Sequence, residues 1–160
     1  MKDYKYYNDC AIGQIRDGEF ELAISNFNQS IEMKNDWEIS YFYRGVANQA
    51  LENFDDAILD YTKALQINPN MADAYYNRAK IVLSRKDVKN PDMNKVIKDL
   101  EKALSFDEKF IDALFAMAVA YKNLGDYHKS LEYLEKLLTI EPQAIQARAL
   151  KKLILNKYII

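Results

Sequence analysis

One cysteine, one histidine, one tryptophan, three prolines and four glycines among 160 residues exclude several kinds of protein at once. A lone Cys10 cannot close an internal disulfide, so a reducing setting is the simplest expectation. His128 has no second His or Cys beside it, and no carboxylates are spaced for an all-oxygen site, so no metal is expected. There is no P-loop, G-x-G-x-x-G or H-E-x-x-H pattern. Acidic pairs such as Asp55-Asp56 fall in the first turn of a predicted helix, where the helix dipole favours them without any catalysis. No cofactor and no catalytic residue is expected, and an enzyme is the least supported class. Neither sign of charge dominates: a net −2 lacks the basic footprint of a nucleic-acid binder. No apolar run is long enough to span a membrane. The opening MKDYKYYNDC is polar and lacks the apolar segment of a secretory signal, so a cytoplasmic location is expected. Scarce glycine and proline argue against an all-β or loop-rich chain. A hydrophobic content of 49% with 29% charged residues excludes disorder.

What the chain does contain is a period. Tyr7, Tyr41 and Tyr75 are each 34 residues apart, as are Phe20 and Phe54, Ala23 and Ala57, Ile24 and Ile58, and Phe27 and Tyr61. The spacing widens once to 39, from Ala64 to Ala103 and from Ala79 to Ala118, and then returns to 34, from Ala103 to Leu137. A fixed period of this length signals stacked supersecondary units. Within each unit the apolar residues recur at helical spacing, as in Phe54, Ala57, Ile58, Tyr61 and Leu65. Asp17-Gly18 and Gly125-Asp126 supply turns between paired helices, Asn53 marks the break in the second unit, and Pro69 and Pro142 close units. The units therefore run over about 4–37, 38–71, 72–110 and 111–144, with a further helix over about 144–158, in one domain spanning 1–160. The five extra residues fall within Ser84–Met93, where Asn90 before Pro91 reads as a helix cap with proline in the first turn.

These residues resemble the tetratricopeptide repeat, whose unit reads W-x2-L-G-x2-Y, then A-x3-F, then P. The second unit has Tyr41-x2-Arg44-Gly45, then Ala57-x3-Tyr61, Ala64 and Pro69. The fourth has Leu114-x2-Met117-Ala118-x2-Tyr121, then Gly125-Asp126-Tyr127, Leu137 and Pro142. The first keeps Tyr7, Ala11, Gly18, Ala23 and Phe27, and the third keeps Tyr75, Ala79, Leu100 and Ala103, with Val96 where a small residue is usual. The resemblance covers about 140 of the 160 residues. It implies an all-α fold, a right-handed α-α superhelix of helical hairpins with about nine helices, in which stacked neighbours bury what no unit can bury alone. Cys10 takes a slot that is usually apolar in the family, so it is expected as a buried small residue. Arg78, one unit beyond Asp60, is expected as a structural ion-pair partner.

In this family the first helix of each unit lines the concave groove where partners bind. Carried over by position, the groove comprises Asn8, Ile12 and Ile15, then Ile39, Phe42, Tyr43 and Val46, then Asp73, Tyr76, Asn77 and Lys80, then Asp112, Phe115, Val119 and Lys122. The alternative is a register shifted by one, which returns some of these rings to the core. Members that bind Hsp70 or Hsp90 tails hold a carboxylate in a clamp of Lys, Asn and Arg. On the first three units those slots carry Asn8, Ile12, Tyr43, Asp73 and Asn77, and on the last three Phe42, Val46, Asn77, Asp112 and Ala116. Neither set supplies the charge-assisted bonds required. The resemblance therefore implies a scaffold or adaptor that holds a peptide or helical segment of a partner protein, with no nucleic acid or membrane involved. Two alternatives are a secretion-type chaperone and a self-assembly module.

The last helix carries Ala147, Leu150, Ile154 and Tyr158 on one stripe, suited to covering the fourth unit. After Glu141 come Arg148, Lys151, Lys152 and Lys157 with no acid, which reads as a solvated face rather than a site for an acidic partner. Leu155, Ile159 and Ile160 are more apolar than a cap requires and are candidates for a homodimer contact. Because Tyr61 occupies the large core position of its unit, Tyr61→Ala is expected to cost roughly 3–5 kcal/mol in denaturant unfolding.

Overall fold

The protein is described by a computed structural model over residues 2–158. Among the described residues there are nine helices and no strand. They are α1 (Tyr4–Asp17), α2 (Phe20–Met33), α3 (Glu38–Ala50), α4 (Phe54–Ile67), α5 (Ala72–Ser84), α6 (Met93–Phe106), α7 (Ile111–Leu124), α8 (Tyr127–Ile140) and α9 (Ile145–Tyr158). None of them is long and apolar enough to cross a membrane. Two compact units divide the chain, Met1–Ile81 and Val82–Ile160, with the boundary inside α5.

In the first unit, α1 and α2 form one hairpin and α3 and α4 another, and α2 packs on α3. Ala11, Ala23, Phe27 and Ala47 make one core, and Ala57, Tyr61, Leu65, Ala74 and Ile81 make the next. The α3–α4 approach is close at Gly45. A Cβ on Gly45 would lie 2.9 Å and 3.1 Å from the Tyr61 ring and 3.3 Å from Asp60 Cβ, so glycine is required there by space. Tyr61 is fully buried, and its hydroxyl donates to Gln49 Oε1 at 2.8 Å.

Polar groups buried beside these cores are paired, as burial demands. Asp60, only 4% exposed, accepts from Arg44 Nε and Nη2 (3.0 and 2.6 Å) and from Asn48 Nδ2 (3.1 Å). Its cation thus comes from its own hairpin, one repeat earlier than the Arg78 expected from the sequence. Arg78 donates to Thr62 Oγ1 at 3.0 Å. Arg44 also donates to Asn28 Oδ1 of α2 at 2.6 Å, so one side chain ties three helices.

In the second unit, α7 and α8 form a hairpin, α6 packs on α7, and α9 covers α8. Leu114, Ala118, Leu134, Leu137, Ala147 and Ile154 form its core. Ser130, where the other repeats carry Ala23, Ala57 and Val96, donates its hydroxyl to the Ala118 carbonyl at 2.7 Å and so binds α8 to α7. The cap expected at Asn90 is found two residues later. Asp92 precedes α6 and accepts from the amides of Asn94 and Lys95, because its carboxylate reaches the unpaired first-turn N–H groups. Cys10 is half-buried rather than enclosed, and His128 is exposed.

Gly18 and Gly125 end their first helices in the left-handed region, at φ 79° and 80°. The same repeat position in the second hairpin is Glu52, at φ 61°. A side chain pays a steric penalty there that glycine does not. Glu52→Gly is therefore expected to stabilise by about 0.5–1 kcal/mol, after subtracting glycine's entropy, measured as a shifted urea midpoint. Gly45→Ala should destabilise by about 1–3 kcal/mol through overpacking, despite alanine's better helix propensity. Adding Tyr61→Leu recreates the Ala118–Leu134 combination of the second unit and should recover part of that loss. Full additivity of the two changes would refute the steric account.

Candidate functional site

On α1, Ile12 and Ile15 are half-buried and pack against the Ala11–Phe27 core. Asn8 does not reach the surface. It is 5% exposed and its Oδ1 accepts from Ser40 Oγ at 3.0 Å. Ser40 and Ser30 hydroxyls are 2.8 Å apart, and Ser30 donates to the Tyr4 carbonyl at 2.9 Å. Asn8 is thus one end of a buried polar chain joining α1, α2 and α3, where two hydroxyl protons serve three contacts. Its place in the repeat points to the groove, but serines at 30 and 40 give it an internal partner.

The aromatic residues of α3 divide between two cores. Tyr43 stacks on Phe27 (6.5 Å between centroids, 9° between planes) and packs with the first core. Phe42 packs with the second and meets Tyr43 edge-on at 5.1 Å and Tyr61 at 5.8 Å. Val46 also packs with the second core, and Ile39 is half-buried. Phe42, Tyr43 and Val46 combine a core contact with a solvent-facing edge. On α5, Tyr76 and Asn77 are half-buried, Asp73 and Lys80 are exposed, and the Lys80 ammonium lies 5.7 Å from the Tyr76 ring centre. Burial, reinforced by the Asp60 charge, holds the Tyr61 phenol above its ordinary pKa. On α5 this stretch carries one exposed acid, Asp73, and one exposed cation, Lys80.

In the second unit, Phe115, Val119 and Lys122 of α7 are half-buried and Asp112 is exposed. Phe115 packs against the local core and lines a hollow of about 330 Å³, together with Ile111, Asp112, Glu141 and Gln146. Ala116, one of the clamp slots, is buried. Among the described residues, no group of three or more His, Cys, Asp or Glu could hold a metal ion.

Two features escaped sequence reasoning. Tyr4 and Trp37 meet edge-on at 5.4 Å with Lys34 over both rings, and Trp37 Nε1 is buried without a hydrogen-bond partner. Neither tryptophan nor its lysine sits at a repeat position that the family pattern describes. The second is a groove of about 690 Å³ along α8 and α9, lined by Leu138, Pro142, Ile145, Ala149 and Leu155 with Arg148, Lys151 and Lys152. The acid-free stretch after Glu141 was its signal in the sequence. Leu155 is 42% exposed, and Ile159 and Ile160 lie outside the described residues.

Comparison with known proteins agrees with this geometry. Residues 39–71 match the tetratricopeptide repeat family, and residues 111–159 match the Fis1 C-terminal tetratricopeptide repeat family. BBSome complex member BBS4 from Bos taurus is 30% identical over 131 residues, covering 81% of this chain and 24% of that protein. The Hsp70-Hsp90 organising protein of Plasmodium falciparum is 28% identical over 105 residues, covering 64% of this chain and 18% of that protein. This chain thus spans about a quarter or less of the length of these two relatives. A solved structure of MamA from Desulfovibrio magneticus RS-1 superposes with a TM-score of 0.86 at 19% identity, covering 98% of this chain and 86% of that one. Such a likeness speaks for the fold alone. The repeated small and large core positions, the nine helices among the described residues and both family matches lead to one conclusion: the chain is a tetratricopeptide-repeat protein.

Proposed function

We propose that this protein is a cytoplasmic adaptor whose first-helix faces hold an apolar peptide or a helical segment of a partner protein. The reading takes residues 1–160 as one repeat array. The observation that carries it is the double duty of the first-helix residues. Ile12, Ile39, Phe42, Tyr43, Val46, Tyr76 and Asn77 in one unit, and Phe115 and Val119 in the other, are all half-buried. Hydrophobic edges left partly wet on a scaffold gain most when a ligand covers them. Lys80 and Lys122 add cations beside these surfaces, where they would orient an acidic flank of the ligand. Anchoring by side chains spaced along a helix or strand suits such a face better than capture of a single charged terminus.

An Hsp70 or Hsp90 tail is the less suitable ligand. Of the clamp slots, Asn8 and Ala116 are buried, and Asp73 and Asp112 are exposed acids that repel a carboxylate. Phe42 and Val46 offer no hydrogen bond at all. The remaining polar slots, Tyr43 and Asn77, are half-buried and neutral, so neither supplies the cation a carboxylate clamp needs.

The test is affinity capture followed by measured binding of the recovered partner. Tyr76→Ser with Lys80→Ser, and separately Val119→Ser, should weaken it by about tenfold or more, as hot-spot truncation does, with the helical fold retained in circular dichroism. Phe42→Ala and Phe115→Ala should weaken it too, with some loss of stability because both rings also touch the cores. A partner held equally by the parent and by the Tyr76/Lys80 and Val119 variants overturns the reading for that partner.

A further inference from the structure

Helix α9 satisfies α8 with only one of its faces. Ala147 and Ile154 are buried in the shared core, whereas Ile145 is 81% exposed and Leu155 42% exposed on the other side. That side borders the 690 Å³ groove, whose floor is Leu138, Pro142, Ile145, Ala149 and Leu155. Its polar lining is Arg148, Lys151 and Lys152 with the neutral Asn156. Lys151 is neutralised by Glu135 at 3.2 Å. Arg148 reaches the amide oxygen of Gln143 at 3.2 Å, and neither Arg148 nor Lys152 has an ion-pair partner among the described residues. From Pro142 to Tyr158 no side chain carries a negative charge.

We propose that this groove docks an amphipathic helix of a partner protein whose apolar stripe is flanked by Asp or Glu. The site is distinct from the first-helix faces, and its reading stands whether or not those faces bind. Three observations select the occupant. The surface is a trough with the volume of a ligand pocket, so it accepts projecting side chains such as those of a helix stripe. The two uncompensated cations stand beside apolar walls, where attraction to carboxylates is screened less than in open water. A second copy presenting its own α9 would set the uncompensated Arg148 and Lys152 against the same two charges, which disfavours a symmetric contact. A flat bilayer surface would leave the trough unfilled.

The experiment uses the full chain and two designed helical peptides with the same leucine stripe, one flanked by glutamates and one by lysines, read by fluorescence anisotropy. The glutamate peptide should bind saturably and more weakly as salt rises, and the lysine peptide should not bind. Arg148→Glu with Lys152→Glu should weaken the glutamate peptide by about tenfold or more, as loss of complementary charge does. Both residues are exposed, so circular dichroism should be unchanged. Leu155→Glu should also weaken it, by placing a carboxylate in the floor. Tyr76→Ser with Lys80→Ser should leave this binding intact, which separates failure here from failure of the first-helix reading. Equal binding of both peptides, no binding of either, or indifference to charge reversal overturns the proposal. So does sedimentation with phosphatidylserine vesicles in the absence of peptide binding, which assigns the groove to a membrane. A mass in light scattering that doubles with concentration and falls on Leu155→Glu, without peptide binding, assigns it to a second copy and likewise overturns it.

Discussion

Two helices can run side by side at close range only where one is small at the point where the other is large. Three hairpins here meet that requirement at the same repeat position. Gly45 faces Tyr61, Ala11 shares a core with Phe27, and Ala118 shares one with Leu134. The pair that carries the largest ring carries the smallest residue. Close packing leaves no room to relax such a mismatch, so the volume of one position dictates the other. Everything outside the hairpins follows from this approach distance, because it determines which edges of the first helices stay uncovered.

Those uncovered edges explain why a scaffold of this kind is stable and receptive at once. Phe42 and Tyr43 contribute to two successive cores and still present ring edges to solvent. Their positions are held by packing, so a ligand meets side chains already ordered and the entropy of fixing them is not charged to binding. The same logic applies at α9. One face is locked to α8 by Ala147 and Ile154, which presents the opposite face in a defined orientation.

Much of this was legible from residue identities. Repeat spacing made the all-α fold of about nine helices legible, together with its alternation of small and large positions. What spacing could not reveal were contacts made by residues that break the pattern. Asn8 reads as a groove residue until Ser40 of α3 is seen to bond it, with Ser30 of α2 against Ser40 in turn. The cap of α6 lies in the insertion, where no sister repeat fixes the register, and local chemistry chose Asp92 over Asn90. Asp60 found its cation at Arg44 because side-chain direction along the helix decides reach, and sequence separation does not. The groove beside α9 depends on how far that helix rotates on α8, which no periodicity encodes.

Chains built from similar units face a problem that other folds do not: their helices are nearly interchangeable during folding. Helix α3 could in principle pair with α2 in place of α4, since Ala23 and Phe27 mimic Ala57 and Tyr61. The Arg44–Asp60 bridge discriminates between the two. Asn26 is the residue of α2 that corresponds to Asp60, and Cys10 is the residue of α1 that corresponds to Arg44. A swapped hairpin would leave Asp60 to be buried against α1 with no cation at the matching place, a cost of about 3–5 kcal/mol for a stranded buried charge. The bridge thus works as proofreading. It adds little to the stability of the correct pairing, but it makes the wrong one expensive.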